Sequence, residues 1–277
     1  MMKNKKSIAV IISAVLVFLV LIASVCLLFT KGSHEYDIVV FGDSIVGNDH
    51  SEDSVCEKLA VLTEKTVFNA GIGGTCMAAN TGSDNQIWSY YSMVELSKAY
   101  EKNEFALQLS GIPKAYVDFF QVVDYVDETI KEISKINLKK AEIIVIEQGS
   151  NDYYAQTPIN TADSFDTYSF TGALRSSIRS IKKVVPDATI VVVSPGYSKT
   201  GVAEGDCLSM DLGYGTMEEY VEAERKVCEE EGVFFVDFLN ESGINAENYL
   251  EYLYDGLHTN EAGNARMAEM IFEKTRR

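Results

Sequence analysis

Between Ser7 and Thr30 the chain is apolar and carries no charge, with Ile, Val, Leu, Ala and Phe dominant. That length crosses a hydrocarbon layer of roughly 30 Å as a helix. Residues 7–30 are therefore predicted as a transmembrane helix, with 1–6 a stub before it and 31–36 a stalk after it. Beyond the stalk the pattern changes to short apolar runs bounded by turn residues. Asp37-Ile38-Val39-Val40-Phe41 ends at Gly42, and similar runs occupy Thr66 to Asn69, Glu142 to Glu147, Thr189 to Ser194 and Val233 to Asp237. Continuous apolarity, rather than alternation, is what a strand covered on both faces requires. Between the runs the apolar spacing lengthens to three and four: Val55, Leu59 and Leu62 mark one helix, and Val122, Val126, Ile130 and Ile133 another. Ser54 and Glu57 offer the first a capping box. Strands alternating with amphipathic helices predict an α/β fold, a three-layer α/β/α arrangement around a mainly parallel five-stranded sheet with right-handed crossovers. One domain, 37–277, accounts for it; Gly201 to Gly215, with its four glycines, reads as a long surface loop.

Charge orients this plan. Lys3, Lys5 and Lys6 precede the apolar run and only Lys31 follows closely, a bias that keeps the amino terminus in the cytosol and exports the rest. Ala23-Ser24-Val25-Cys26 continues into Leu27, Leu28 and Phe29 instead of a small-x-small cleavage site, so the expectation is an uncleaved single-pass anchor in the cell membrane, with secretion as the alternative. Cys26 reads as a cysteine within that helix. The formal charge is −17, and the part beyond the first thirty residues, without their three lysines, is near −20. Nucleic acid is excluded as a partner, because phosphate binding needs a basic surface.

Residues that bind metals or cofactors are scarce. Cys56, Cys76, Cys207 and Cys228 are too dispersed for a disulfide scaffold or a zinc site, and no bridge is predicted. His34, His50 and His258, the only histidines, have no metal-ligand spacing. There is no Gly-x-Ser-x-Gly elbow and no phosphate loop, and Cys76 stands where the last glycine of a dinucleotide fingerprint belongs. No cofactor and no metal are expected.

In a sheet of this kind, ligands bind beyond the carboxyl ends of the strands. The first predicted strand ends in Gly42-Asp43-Ser44, the second in Asn69-Ala70-Gly71-Ile72-Gly73-Gly74 and the third in Gly149-Ser150-Asn151-Asp152. Ser44 is a candidate nucleophile, Asn151 a neutral amide donor suited to an oxyanion, and the glycine run a source of free N–H groups. Singly, Gly-Asp-Ser and Ser-Asn-Asp are ordinary turn chemistry. Asp255-Gly256-Leu257-His258 places a carboxylate three residues before an imidazole, where it can hold the ring's tautomer. His50, on a polar loop near Ser44, reads as a surface residue. Trp88, Tyr90, Tyr91, Tyr153, Tyr154, Tyr252 and Tyr254 lie near these motifs in sequence and form a candidate stacking platform for a sugar, although packing is the commoner role of any one ring.

Taken in order, Gly42-Asp43-Ser44, Gly74, Gly149-Ser150-Asn151-Asp152 and Asp255-Gly256-Leu257-His258 resemble the four signature blocks of the SGNH (GDSL-type) hydrolases. The likeness runs from Asp37 to about Phe272; Ile45 replaces the leucine of the GDSL name and Thr259 the proline common after the histidine. The resemblance implies a flavodoxin-like fold with Ser44 as nucleophile, His258 as general acid/base and Asp255 as its orienting partner. It also implies an oxyanion hole from the Ser44 N–H, the Gly74 N–H and the Asn151 side chain, with Gly74 chosen over Gly73 by counting from Asn69. The implied activity is an extracellular serine esterase acting on carboxylic esters, with short-chain or O-acetyl groups on carbohydrate the leading expectation. Acyl transfer to cell-envelope sugars and a non-catalytic binding module are the alternatives.

Overall fold

The five apolar runs form β1 (Ile38–Gly42), β2 (Val67–Asn69), β3 (Ile143–Glu147), β4 (Thr189–Val193) and β5 (Phe234–Val236) of one parallel sheet. These elements come from a computed structural model that describes residues 34–79, 89–110, 125–200 and 205–276. The predicted membrane helix at 7–30 and the stub before it lie outside the described residues. Among the described residues no helix is long and apolar enough to cross a membrane. Glu35–Arg277 forms one compact unit.

Every residue of β1 and β3 is buried, the reason their sequences are apolar without alternation. Helices α1 (Ser44–Gly47), α2 (Val55–Thr63), α3 (Met93–Lys102), α4 (Tyr125–Ile133) and α5 (Ser150–Tyr154) are followed by α6 (Phe170–Val184) and α7 (Met217–Glu231). Short α8 (Phe238–Glu241) and α9 (Tyr249–Tyr252) lead to α10 (Glu261–Thr275). Packing of α2 on α10, and of α3 and α7 on α6, supplies the two helical layers.

Details of the helices differ from the expected faces. In α2 Val55, Cys56 and Leu59 are buried while Leu62 is exposed, so the buried stripe takes in Cys56 and leaves out Leu62. Only half of the expected capping box forms. The Ser54 hydroxyl accepts from the Glu57 N–H at 3.2 Å, but the Ser54 N–H is taken by the Ser51 carbonyl. In α4 Val126, Ile130 and Ile133 are buried; Val122 lies outside the described residues. Within the glycine-rich stretch, Cys207 is buried and its backbone is held by the Ser198 carbonyl and the Met217 N–H, so that part of the loop is pinned to the body.

Strand order β2-β1-β3-β4-β5 positions the site. After β1 the chain adds β2 on one side and then crosses over to place β3 on the other, paired so that Gly42 faces Glu147. The segments leaving β1 and β3 therefore diverge, opening a crevice at their carboxyl ends.

Candidate active site

Gly42 ends β1, and Asp43 caps the short helix that begins with Ser44, its Oδ1 accepting from the Ile45 N–H at 2.9 Å. As the first helical residue, Ser44 has an N–H with no intrahelical acceptor. The backbones of Gly47 and Gly71 approach so closely that a Cβ on Gly71 would lie 2.6 Å from the Gly47 nitrogen. Two glycines thus let the serine turn and the glycine run after β2 pack against each other. Asn69 joins them further: its amide donates to the carbonyls of Val46 and Asp49, and its oxygen accepts from the Gly71 N–H.

His258 arrives from the other end of the chain. A bridge between Leu253 and Thr259 closes the loop that carries it. Asp255 Oδ1 accepts the N–H groups of Leu257 and His258 at 3.0 and 2.8 Å, leaving Oδ2 to meet His258 Nδ1 at 2.7 Å. His258 Nε2 then lies 3.0 Å from Ser44 Oγ. Burial raises the Asp255 carboxyl, but those N–H donors and the imidazole outweigh it and hold the group below its ordinary range. Ser44, His258 and Asp255 are brought together in a hydroxyl–imidazole–carboxylate chain, an arrangement able to deprotonate the hydroxyl and return the proton to a leaving group.

On the opposite side of Ser44 stand Asn151 and the glycine run. Asn151 donates both amide hydrogens internally, to Asp43 Oδ2 at 3.1 Å and to the Thr75 carbonyl at 2.9 Å. The Gly73 N–H is used as well, donated to the Tyr125 hydroxyl, which itself bonds Asn48 Oδ1. The Gly74 N–H, by contrast, meets no acceptor among the described residues. Gly73 is the near neighbour of the serine, since a Cβ there would lie 3.6 Å from Ser44 Cβ. Asp43, buried beneath both sides of the crevice, has its pKa pushed up to about 6 by that burial, against the opposing pull of the Ile45 N–H, His258 and the Asn151 amide.

Two rings of the expected aromatic platform are turned into the core. Tyr91 and Tyr153 are fully buried, their hydroxyls donated to the carbonyls of Gln108 and Met210. Tyr90, Tyr154 and Tyr252 pack partly against the core, and Trp88 lies outside the described residues. Among the described residues Tyr254 meets the catalytic-type chain, its exposed ring stacked on His258 at 5.6 Å and 14°. His50, exposed, packs on Tyr125 at 4.8 Å. Asn69, Thr75 and Tyr125 tie the crevice together and are missed by reading motifs alone. Asn69 heads a glycine run, the one signal of the three; nothing in sequence joins Tyr125 to Gly73.

Comparison with known proteins agrees with this geometry. The model of the GDSL-like Lipase/Acylhydrolase family matches residues 40–266. No curated protein matches the chain. Solved structures with a similar fold include a Lactobacillus plantarum protein, 18% identical with TM-score 0.58 over 87% of this chain and 96% of that one. A possible lipase from Chitinophaga pinensis is 16% identical, TM-score 0.55, covering 86% and 96%. An acetyl xylan esterase, AlAXEase, is 15% identical, TM-score 0.53, covering 86% and 99%. At such identities the structures speak for the fold, while the family match spans the residues of β1 through α10 that build the crevice. The chain belongs to the GDSL-like lipase/acylhydrolase family and is a carboxylic ester hydrolase.

Proposed function

We propose that this enzyme is a membrane-tethered serine esterase facing the outside of the cell, acting on short acyl, chiefly O-acetyl, esters of carbohydrate through an acyl-enzyme on Ser44. One observation carries the mechanism: Ser44 Oγ, the His258 imidazole and the Asp255 carboxylate stand in unbroken contact at 3.0 and 2.7 Å. Ser44 attacks the ester carbonyl while His258 Nε2 takes its proton. Asp255 keeps the Nδ1–H in place and stabilises the imidazolium. The proton then passes to the leaving alkoxide, and a water activated by the same imidazole releases the acid. The Ser44 and Gly74 N–H groups receive the developing oxyanion, and Asn151 joins them by redirecting to it one hydrogen bond now donated to Asp43 or Thr75.

For the alcohol side, support comes from a groove of about 540 Å³ bordered by Tyr36, His50, Phe68, Asn69, Tyr125 and Glu128. Tyr125 joins it to Gly73 and so to the serine. Aromatic faces with carboxylate acceptors suit a polyhydroxylated, uncharged alcohol. The uncharged run at 7–30 and the lysines before it support the tether and the outward face.

The test is hydrolysis of short- and long-chain aryl esters and of acetylated oligosaccharides by the full chain and by Ser44→Ala. Serine replacement is expected to lower kcat by about 10⁴-fold or more, with short acyl groups preferred. Ester hydrolysis surviving in Ser44→Ala rejects the mechanism, and transfer of acetyl to an added sugar in place of free acetate rejects hydrolysis as the function.

A further inference from the structure

Beneath the crevice lie four carboxyl groups that the proposed reaction does not use directly: Asp43, Glu147, Asp152 and Glu224, each at most 1% exposed. They come from four elements. Asp43 follows β1, Glu147 ends β3, Asp152 is in α5 and Glu224 is in the middle of α7. Two are satisfied by neutral donors. Asp43 accepts from the Ile45 N–H and the Asn151 amide, and Asp152 from the N–H groups of Met77 and Ala78 at 2.7 and 3.1 Å. Glu147 and Glu224 are not: none of their four carboxyl oxygens has a partner at hydrogen-bond geometry, although the Asp43 N–H is directed toward Glu147.

No lysine or arginine among the described residues is ion-paired with any of the four. Groups facing Glu147 are Asp43 and Glu224. Those facing Glu224 are Asp152 and Asp237, with Cys228 on its own helix; Asp237 is neutralised by Arg225. Cys76, Tyr125, Asp152 and His258 also face Asp43. Two bare carboxylates beside two others in such a place are prohibitively costly, whereas a protonated acid is neutral and brings its own O–H donor.

We propose that Glu147 and Glu224 are neutral, proton-carrying acids in the working enzyme, and that Glu147 is a positioning residue. It supports Asp43, and through it the Ser44 turn and the Asn151 amide, without adding negative charge below the oxyanion. The register already places it: Glu147 pairs with Gly42, and a Cβ on Gly42 would come 3.2 Å from its Oε2. Burial, followed for Glu147 by the charge of Asp43 and for Glu224 by that of Asp152, raises both carboxyls far above their ordinary range. Ionising this floor would set a fresh negative charge against the tetrahedral intermediate, which is why its proton matters to catalysis.

The sign with pH is definite. Unfolded, both acids release their protons near 4.5; folded, they keep them to much higher pH. Above 4.5 the fold therefore binds more protons than the unfolded chain, and these two groups lose the protein stability as pH rises. Glutamine is neutral at every pH and escapes that loss.

The experiment compares the full chain with Glu147→Gln, Glu224→Gln and Glu147→Leu. Thermal unfolding is followed across pH, and kcat and KM with an aryl acetate. Near pH 4.5 the glutamine variants should melt with the parent, and their advantage should grow toward pH 8. Infrared spectra at pH 8 should show protonated carboxyl bands that each glutamine removes. Glu147→Gln should keep kcat within about threefold and lose the alkaline fall of the parent, while Glu147→Leu should lose about tenfold in kcat at little cost in KM. Glutamine variants whose stability relative to the parent stays constant or falls as pH rises would show that folding holds no extra proton at these sites and overturn the neutral-acid assignment. Equal kcat for the leucine and glutamine variants would overturn the positioning role. Only the kinetic arm rests on the esterase reading; melting and infrared decide protonation even if Ser44 proves inessential.

Discussion

Asp255 and Glu147 carry the same functional group within one crevice and meet opposite surroundings. Asp255 is 43% exposed, faces an imidazole and is held by two backbone N–H groups. Glu147 is 1% exposed, faces other carboxyls and has only the Asp43 N–H near it, short of a formed hydrogen bond. N–H donors and water keep the first ionised, while a dry acidic environment keeps the second protonated. Their contributions to stability accordingly run in opposite directions with pH: that of Asp255 is present above its ordinary value of 3.8 and is lost on acidification, while that of Glu147 is lost as pH rises. The lesson is that a carboxyl near an active site acts through its charge only where donors stabilise that charge.

Neutralising each group in turn is the sharpest way to break this comparison. Asp255→Asn retains an acceptor for the two N–H groups but turns an amide toward Nδ1, favouring the wrong imidazole tautomer. kcat/KM for an aryl acetate should fall about a thousandfold with folding preserved, against the near-silent Glu147→Gln. A loss below about tenfold in Asp255→Asn would mean that its charge is as dispensable as that of Glu147.

Asp255 was legible in the sequence and Glu147 was not. The strands followed from uninterrupted apolarity, and the four motif blocks fell at the ends of β1, β2 and β3 and before α10, where the topology gathers them. A glutamate after Ile-Ile-Val-Ile, however, reads as the point where a strand leaves the core. Glu224 is harder still, because it lies in Met217 to Glu231, a segment rich in acids that looks solvated. A signal was nevertheless present there: Met217, Tyr220, Val221, Val227 and Cys228 form the buried stripe of α7, and Glu224 occupies the stripe position between them. Tyr91 and Tyr153 drop out of the expected aromatic platform for a different reason. Nearness to a motif along the chain does not fix which way a side chain points, so Tyr153, two residues after Asn151, faces the core.

A smaller effect tests how rigidly the Asp255 loop must be held. Gly256 has φ +86, and a Cβ there would lie 2.2 Å from the Lys199 carbonyl oxygen. That contact sits beside the Lys199 N–H to Gly256 carbonyl bond at 2.7 Å, so the neighbouring strand of chain cannot withdraw freely. Gly256→Ala should cost about 2–3 kcal/mol in urea unfolding and lower kcat about tenfold. Gly232, at φ +63 with open space around it, is the control. Its alanine variant should cost about 1 kcal/mol and leave kcat alone. Equal costs at the two sites would show that the loop relaxes and that the close contact does not constrain it.

Least is expected of Tyr254, the exposed ring stacked on His258. Tyr254 is 62% exposed and stacks on the His258 ring. The loop itself is held by main-chain bonds independent of that ring, including the Tyr254 N–H to the His258 carbonyl at 3.0 Å. Stacking at such exposure adds little energy, so Tyr254→Ala should change stability by less than about 0.5 kcal/mol. It should lower kcat two- to fivefold, about what a slightly freer imidazole costs, and Tyr254→Phe should restore it because the face and not the hydroxyl is in contact. With acetylated oligosaccharides in place of aryl acetate, a ring serving only His258 predicts the same small kcat change and an unaltered KM. A KM that rises for the oligosaccharide alone would instead place Tyr254 in the substrate's path, as a member of the expected sugar platform.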